Sequence, residues 1–167
     1  MEKNCSCSCG CVRSVDDAVL SQVAALASPY RGRNDMLIQV LAEAQKLAFN
    51  SIPREVAEVI AREMDIPLSK IYEVVSFYAE FSAQPRGQYV IRLCKSAPCH
   101  VNGAQTVLEA FEAELGIVSG ETTPDGKFTL ESWECLGLCD GSPSAAIGDQ
   151  IFDNLTPDKI KAIIAQY

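Results

Sequence analysis

The first half of the chain carries apolar residues at the three- and four-residue spacing that is typical of amphipathic helices. The spacing predicts four helices, over residues 14–27, 35–50 and 53–64 and over a segment that follows Pro67. Asp35 is expected to cap the second helix, and Pro53 to lie in the first turn of the third. In the fourth helix the positions expected to face inward are Ile71, Val74, Val75 and Tyr78. Together these helices predict a small bundle.

The pattern changes at Pro85-Arg86-Gly87, which we interpret as a hinge. Short runs with the composition of strands follow at 89–93, 128–130, 145–147 and 150–152. Helices are predicted from Gly103 to Leu115 and from Thr156, as N-cap, to about Ala165. This order predicts an α+β fold with three segments: a Cys-rich tract at 1–13, a helical bundle at 14–84 and a sheet domain at 85–167.

Composition narrows the class of protein. Hydrophobic residues make up 48% and charged residues 22% of the chain, and no apolar run approaches the roughly 20 residues that cross a bilayer. We therefore expect a soluble protein that does not insert into a membrane. The N-terminus lacks the apolar core of a signal peptide, so the expected compartment is the cytoplasm. The net charge of -8, with no stripe of Lys or Arg, argues against nucleic-acid binding.

Eight cysteines in a reducing compartment favour metal or redox chemistry over disulfides. Cys94, at the end of a predicted strand, and Cys99, in the loop beyond, have C-x4-C spacing, while Cys135 and Cys139 have C-x3-C spacing in a later loop. Four thiolates on converging loops are what a [2Fe-2S] cluster requires, two for each iron. Gly103 and Gly137 would let the backbone approach such a cluster closely.

Other kinds of cysteine site fit less well. A structural zinc site usually has C-x2-C knuckles, and thioredoxin-type dithiol chemistry needs C-x-x-C. A Rieske centre needs two histidine ligands, whereas His100 is the only histidine. The chain has no G-x-G-x-x-G fingerprint, P-loop or Ser/His/Asp set, so we expect no catalytic residues on it.

A second group of cysteines stands at the N-terminus, where Cys5, Cys7, Cys9 and Cys11 form a C-x-C-x-C-x-C tract. Closely spaced thiolates could bind an additional metal ion or cluster. The tract could equally be a tail without a ligand. The sequence leaves both interpretations open.

Several spaced motifs carry a resemblance to a known family. They are Ile66-Pro67-Leu68-Ser69, Ser76-Phe77-Tyr78 with Phe81, Pro85-Arg86-Gly87, Cys94 with Cys99-His100, Thr122-Thr123-Pro124-Asp125-Gly126, Glu134-Cys135-Leu136-Gly137 with Cys139, and Asn154-Leu155-Thr156-Pro157. The sheet domain resembles the thioredoxin-like [2Fe-2S] ferredoxins. From about residue 21 to 167 the chain is similar to the small subunit of the NADH-oxidising module of respiratory complex I and of related hydrogenases, formate dehydrogenases and electron-bifurcating complexes.

The resemblance implies a helical bundle followed by a thioredoxin-like [2Fe-2S] domain. It implies that Cys94 and Cys99 bind one iron, and that Cys135 and Cys139 bind the other. It also implies electron exchange with a flavoprotein subunit that holds FMN and NAD(H), within an oxidoreductase that contains further iron-sulfur subunits. Two other functions stay open at this point: a free-standing ferredoxin-like electron carrier and a zinc-stabilised interaction module.

Two groups of residues outside the ligand set also have two interpretations each. Phe77, Tyr78 and Phe81 either dock on the partner or belong to the helical core. His100 either forms a hydrogen bond near the cluster or the partner, or only closes its loop.

Overall fold

A computed structural model describes residues 15–167, so the four cysteines of the N-terminal tract lie outside the described residues. The chain forms two compact units, the first ending at Pro85 and the second spanning Arg86–Tyr167. Within 15–167, none of the helices combines the length and the apolar character needed to cross a membrane.

The first unit is helical, as predicted. Its helices are α1 (Asp17–Ala27), α2 (Leu37–Leu47), α3 (Arg54–Met64) and α4 (Leu68–Phe77), with short 3-10 helices at Ser28–Tyr30 and Asn34–Met36. One apolar face of each helix packs into a shared core that includes Val23, Leu41, Ile60 and Ile71. The predicted inward positions Ile71, Val74 and Val75 are confirmed as buried.

Three details of this unit differ from the prediction. Asp35 does not cap α2, because it lies in a 3-10 helix and its carboxylate binds Arg33 at 2.6 Å, while Met36 is the N-cap residue. Helix α2 ends at Leu47 instead of Asn50, because Phe49 and Asn50 adopt positive φ angles of 54° and 52°. Tyr78 follows the end of α4 and is 41% exposed, so its predicted inward position is wrong.

The second unit is a four-stranded sheet with helices against one face. The strands are β1 (Tyr89–Cys94), β2 (Phe128–Trp133), β3 (Ala145–Ile147) and β4 (Gln150–Phe152), in the order β2-β1-β3-β4. β1 is parallel to β2 and antiparallel to β3. Helices α6 (Ala104–Leu115) and α7 (Pro157–Ile164) contribute Phe111 and Ile160 to a core that includes Ile91 and Leu130. The α+β class and all four predicted strands are confirmed.

One α-helix was not predicted. Residues Ala97–Val101 form the short helix α5, so Cys99 lies in a helix and not in the loop expected from the sequence. Five residues are too few to display a helical period, and Pro98 in the first turn reads as a loop signal when the sequence is taken alone.

Candidate metal centre

Parallel pairing brings the two cysteine segments to one edge of the sheet. Cys94 is the last residue of β1, and its partner in the register is Trp133, the last residue of β2. Because the carboxyl ends of parallel strands meet at the same edge, the segments that hold Cys99 and Cys135 begin side by side. Cys94 and Cys99 are buried and pack with Ala104, while Leu136 from the other segment packs against them.

Cys135 and Cys139 are exposed, and their sulfur atoms lie 3.9 Å apart. Two thiolates at metal–sulfur distances of about 2.3 Å in tetrahedral geometry stand about 3.8 Å apart. The observed separation therefore suits two ligands of one tetrahedral metal ion. Cys94 and Cys99 pack together in the buried cluster, and they form the second thiol pair.

Backbone donors point at these sulfurs. The Gly137 N–H donates to Cys135 Sγ at 3.3 Å, and Gly137 reaches this position with a φ of 81°, which glycine adopts without the cost of a Cβ clash. Cys99 Sγ lies 3.8 Å from the hydroxyl of the buried Ser144. Gly103, the other glycine singled out in the sequence, instead precedes α6, where its carbonyl accepts a hydrogen bond from Thr106 at 2.7 Å.

The two buried thiols differ in pKa, which is lowered for Cys94 and raised for Cys99. Burial by itself would raise the pKa of Cys94, but hydrogen bonds from the backbone N–H groups of Leu136 and Ser96 outweigh it, and the pKa is lowered. Burial raises the pKa of Cys99, and its hydrogen bond with Cys94 acts in the same direction. The Leu136 N–H comes from the segment after β2, so it links the two halves of the site.

The charges of the buried cysteines also act on the exposed pair. The pKa of Cys139 is raised, first by the hydrogen bond with Cys135 and by the Cys135 charge, then by burial and by the charges of Cys99 and Cys94. Four thiolates this close repel one another, and metal ions are the natural counter-charge that keeps such a set deprotonated.

The donors are arranged as two pairs. In the part of the chain that the structure describes, no group of three or more His, Cys, Asp or Glu side chains converges as a site for a single ion. A two-iron cluster takes two thiolates on each iron, which matches donors that are arranged in two pairs. The sulfur donors, the 3.9 Å pair and the N–H groups aimed at sulfur fit a [2Fe-2S] cluster.

The remaining candidate residues divide between core and surface. Phe81 is buried in the helical core, whereas Phe77 is 79% exposed. The ring of Tyr78 contacts both, with centroids 5.0 Å from Phe77 and 6.3 Å from Phe81. His100 is exposed on α5, directly after Cys99, and its role in hydrogen bonding near the site stays a prediction.

Sequence reasoning missed Ser144 and Leu136 as parts of the site. Ser144 is fully buried, and its carbonyl accepts the backbone N–H of Cys94 at 3.0 Å, beyond the cis peptide bond between Ser142 and Pro143. It stands 45 residues from Cys99 along the chain, so no local spacing could connect them. Leu136 lies between two ligand candidates, where only the fold reveals that its N–H reaches Cys94.

With this geometry the class of protein can be assigned. Residues 23–167 match the model of the thioredoxin-like [2Fe-2S] ferredoxin family, and the chain belongs to that family. Among its relatives is the NADP-reducing hydrogenase subunit HndA of Solidesulfovibrio fructosivorans, 40% identical over 131 residues that cover 78% of this chain and 76% of the relative. Another relative, a subunit of the NADH-quinone oxidoreductase of Rickettsia felis, is 34% identical over 139 residues, 83% of each chain.

A solved structure shares the fold. The crystal structure of an NAD+-reducing [NiFe]-hydrogenase in the air-oxidized state matches 78% of this chain with a TM-score of 0.69 and 23% sequence identity. The match spans 22% of that longer chain, and the likeness concerns the fold alone.

Proposed function

We propose that this chain is an electron-transfer subunit that carries one [2Fe-2S] cluster and passes single electrons to and from a larger oxidoreductase. The observation that carries the proposal is the meeting of two cysteine pairs at the carboxyl ends of β1 and β2, in a chain of the [2Fe-2S] ferredoxin family. When bound, the cluster supplies a site that accepts and returns one electron.

The proposed ligands are Cys94 and Cys99 on one iron and Cys135 and Cys139 on the other. The contacts within each pair and the 3.9 Å sulfur separation support this assignment. The N–H groups of Leu136, Ser96 and Gly137 favour negative charge on the sulfurs that they contact. Burial keeps water from Cys94 and Cys99, while Cys135 and Cys139 face outward, where a partner can approach.

The proposed partner is a flavoprotein subunit that binds FMN and NAD(H), together with further iron-sulfur subunits. The relatives support a subunit role, since their names describe subunits of an NADP-reducing hydrogenase and of an NADH-quinone oxidoreductase. We assign no catalytic residue to this chain and propose that substrate chemistry, including any electron bifurcation, occurs on the partners. We further propose that 14–84 and 85–167 act as separate domains.

The experiment is metal analysis of the full-length chain purified without oxygen. We expect about two irons and two sulfides per chain, an S = 1/2 signal in electron paramagnetic resonance after reduction with dithionite, and loss of that signal on replacing Cys94 or Cys135 by Ser. A protein that holds only zinc, with no signal after reconstitution with iron and sulfide, would overturn the proposal.

Two further measurements test the proposed partner and the N-terminal cysteine tract. Co-expression with a flavoprotein that binds FMN and NAD(H), taken from the same organism, should give a stable complex, whereas a free-standing carrier would purify alone. Replacement of Cys5, Cys7, Cys9 and Cys11 together by Ser tests the N-terminal tract. Metal beyond two irons in the parent, lost in this variant, would identify a second site; equal metal content would leave the tract without one.

A further inference from the structure

A charged network lies on the face of the sheet opposite to helices α6 and α7. Ile91 and Leu93 of β1 point into the core that those helices share, so Arg92 between them points to the other face. In the parallel register, Arg92 pairs with Glu131 and Cys94 pairs with Trp133. These four side chains therefore occupy one face of the two strands that lead into the cysteine segments.

The network consists of two guanidinium groups around one carboxylate. Arg86 Nε lies 2.7 Å from Glu131 Oε1, and Arg92 Nε lies 3.8 Å from Glu131 Oε2. The Arg92 guanidinium also stacks over the Trp133 ring, 4.4 Å from its centroid. The side chains of Arg86, Glu131 and Arg92 are only 8%, 18% and 20% exposed, so little water screens them.

The Arg92 guanidinium is held close to the candidate metal centre. Arg92 precedes Cys94 by two residues within β1, a distance of about 6.6 Å along the strand, and Trp133, the last residue of β2, precedes Cys135 by two residues. The Trp133 ring on which Arg92 stacks stands opposite Cys94 in the sheet. Stacking and the ion pair fix the guanidinium in place, whereas a free surface cation would move with solvent.

We infer that Arg92 and Glu131 are positioning residues that tune the reduction potential of the cluster, with Arg92 raising it and Glu131 lowering it. The inference rests on the proposed function. Reduction adds one negative charge to the cluster, so a fixed cation nearby stabilises the reduced state and a fixed anion disfavours it.

An exposed ion pair at the same edge of the sheet provides the control. Lys95, directly after Cys94, binds Glu134 at 2.9 Å, but the two side chains are 55% and 76% exposed. Water and salt screen charges in such a position. Lys95→Gln should therefore change the potential less than Arg92→Gln, and its effect should disappear at high ionic strength.

The test is a redox titration of the cluster-loaded full chain, monitored by electron paramagnetic resonance at low and at high salt. We expect Arg92→Gln to lower the potential, Glu131→Gln to raise it, and Arg92→Lys, which keeps the charge, to stay nearer to the parent than Arg92→Gln. Both glutamine variants remove the Arg92–Glu131 ion pair, and Glu131→Gln also removes the ion pair with Arg86. A merely structural role would therefore shift both potentials in one direction, with the larger shift in Glu131→Gln.

Shifts of the same sign, or no shift in either variant, would overturn the inference. Should Arg92→Gln fail to hold its cluster, Glu131→Gln and Arg92→Lys still test the sign and the role of the charge. A failure of the proposed function looks different, because the parent chain itself would then hold no [2Fe-2S] cluster.

Discussion

Gly137 illustrates how a single backbone angle supports the candidate metal centre. Its φ of 81° lies in the left-handed region, and its N–H contacts Cys135 Sγ. Replacing it by Ala should lower the free energy of unfolding by about 1 to 2 kcal/mol, because a Cβ in this region clashes with the following carbonyl. Chemical denaturation, followed by circular dichroism, measures the change.

Gly137→Asn is the matched variant for this prediction. Asn visits the left-handed region more readily than Ala, so it should recover part of the loss. Space is not limiting, since nothing lies within 4 Å of a Cβ built at Gly137. Equal stability of Gly137→Ala and the parent would contradict the conformational explanation.

At the scale of elements, a buried glutamine joins α2 to the segment that follows α4. Gln45 Nε2 donates to the Glu80 carbonyl at 3.1 Å, and Gln45 Oε1 accepts from the Ser82 N–H at 3.2 Å. Gln45→Leu removes this acceptor from Ser82 in a part-buried setting, which should cost about 1 to 3 kcal/mol of unfolding free energy. Gln105→Leu, at an exposed position of α6, should change stability by less than about 0.5 kcal/mol. Equal effects of the two substitutions in denaturant titrations would argue against the bridging role.

The turn before β2 contains a carboxylate whose titration in acid can be predicted. Asp125 accepts hydrogen bonds from the Thr123 hydroxyl and from the Lys127 N–H, and its pKa is lowered, mainly by Thr123. A carboxyl whose pKa is lower in the folded state adds stability that is fully present above its unfolded pKa and is lost as the pH falls through the folded value. Carbon-13 NMR titration should find Asp125 titrating below an ordinary aspartate.

Thr123→Val tests the cause of this shift. It keeps the shape of the side chain but removes the hydroxyl, so the pKa of Asp125 should move back toward its ordinary value. Thr106→Val, at a hydroxyl that bonds to Gly103, should leave the Asp125 titration unchanged. An Asp125 that titrates normally in the parent protein would refute the assignment.

At the scale of the whole molecule, each of the two units has its own core. The helical core draws on residues between Val23 and Phe81, and the sheet core on residues between Ile91 and Ile163. We expect removal of the cluster to lower the hydrogen-exchange protection of the segments around α5 and 134–141. The protection of α1–α4 should not change. Hydrogen exchange of the loaded and the cluster-free chain, read by mass spectrometry, checks this. Loss of protection throughout α1–α4 would contradict it.

The sequence allowed most elements to be predicted because their local signals agree. Short runs with the composition of strands identified β1 to β4, and Thr156-Pro157 identified the start of α7. The Asp35 cap was wrong because Asp35 lies inside the 3-10 helix that precedes α2, where its carboxylate binds Arg33. Helix α5 was missed because five residues carry too little periodicity.

By itself, the sequence determined the four strands, the longer helices, the family resemblance and the four candidate ligands, because these depend on local composition and spacing. Tertiary structure decided what lies side by side: the parallel register of Cys94 with Trp133, the Leu136 N–H near Cys94, and the Arg92–Glu131 pair. These contacts join residues far apart along the chain. They depend on strand order and register, which follow from packing the whole sheet against its helices.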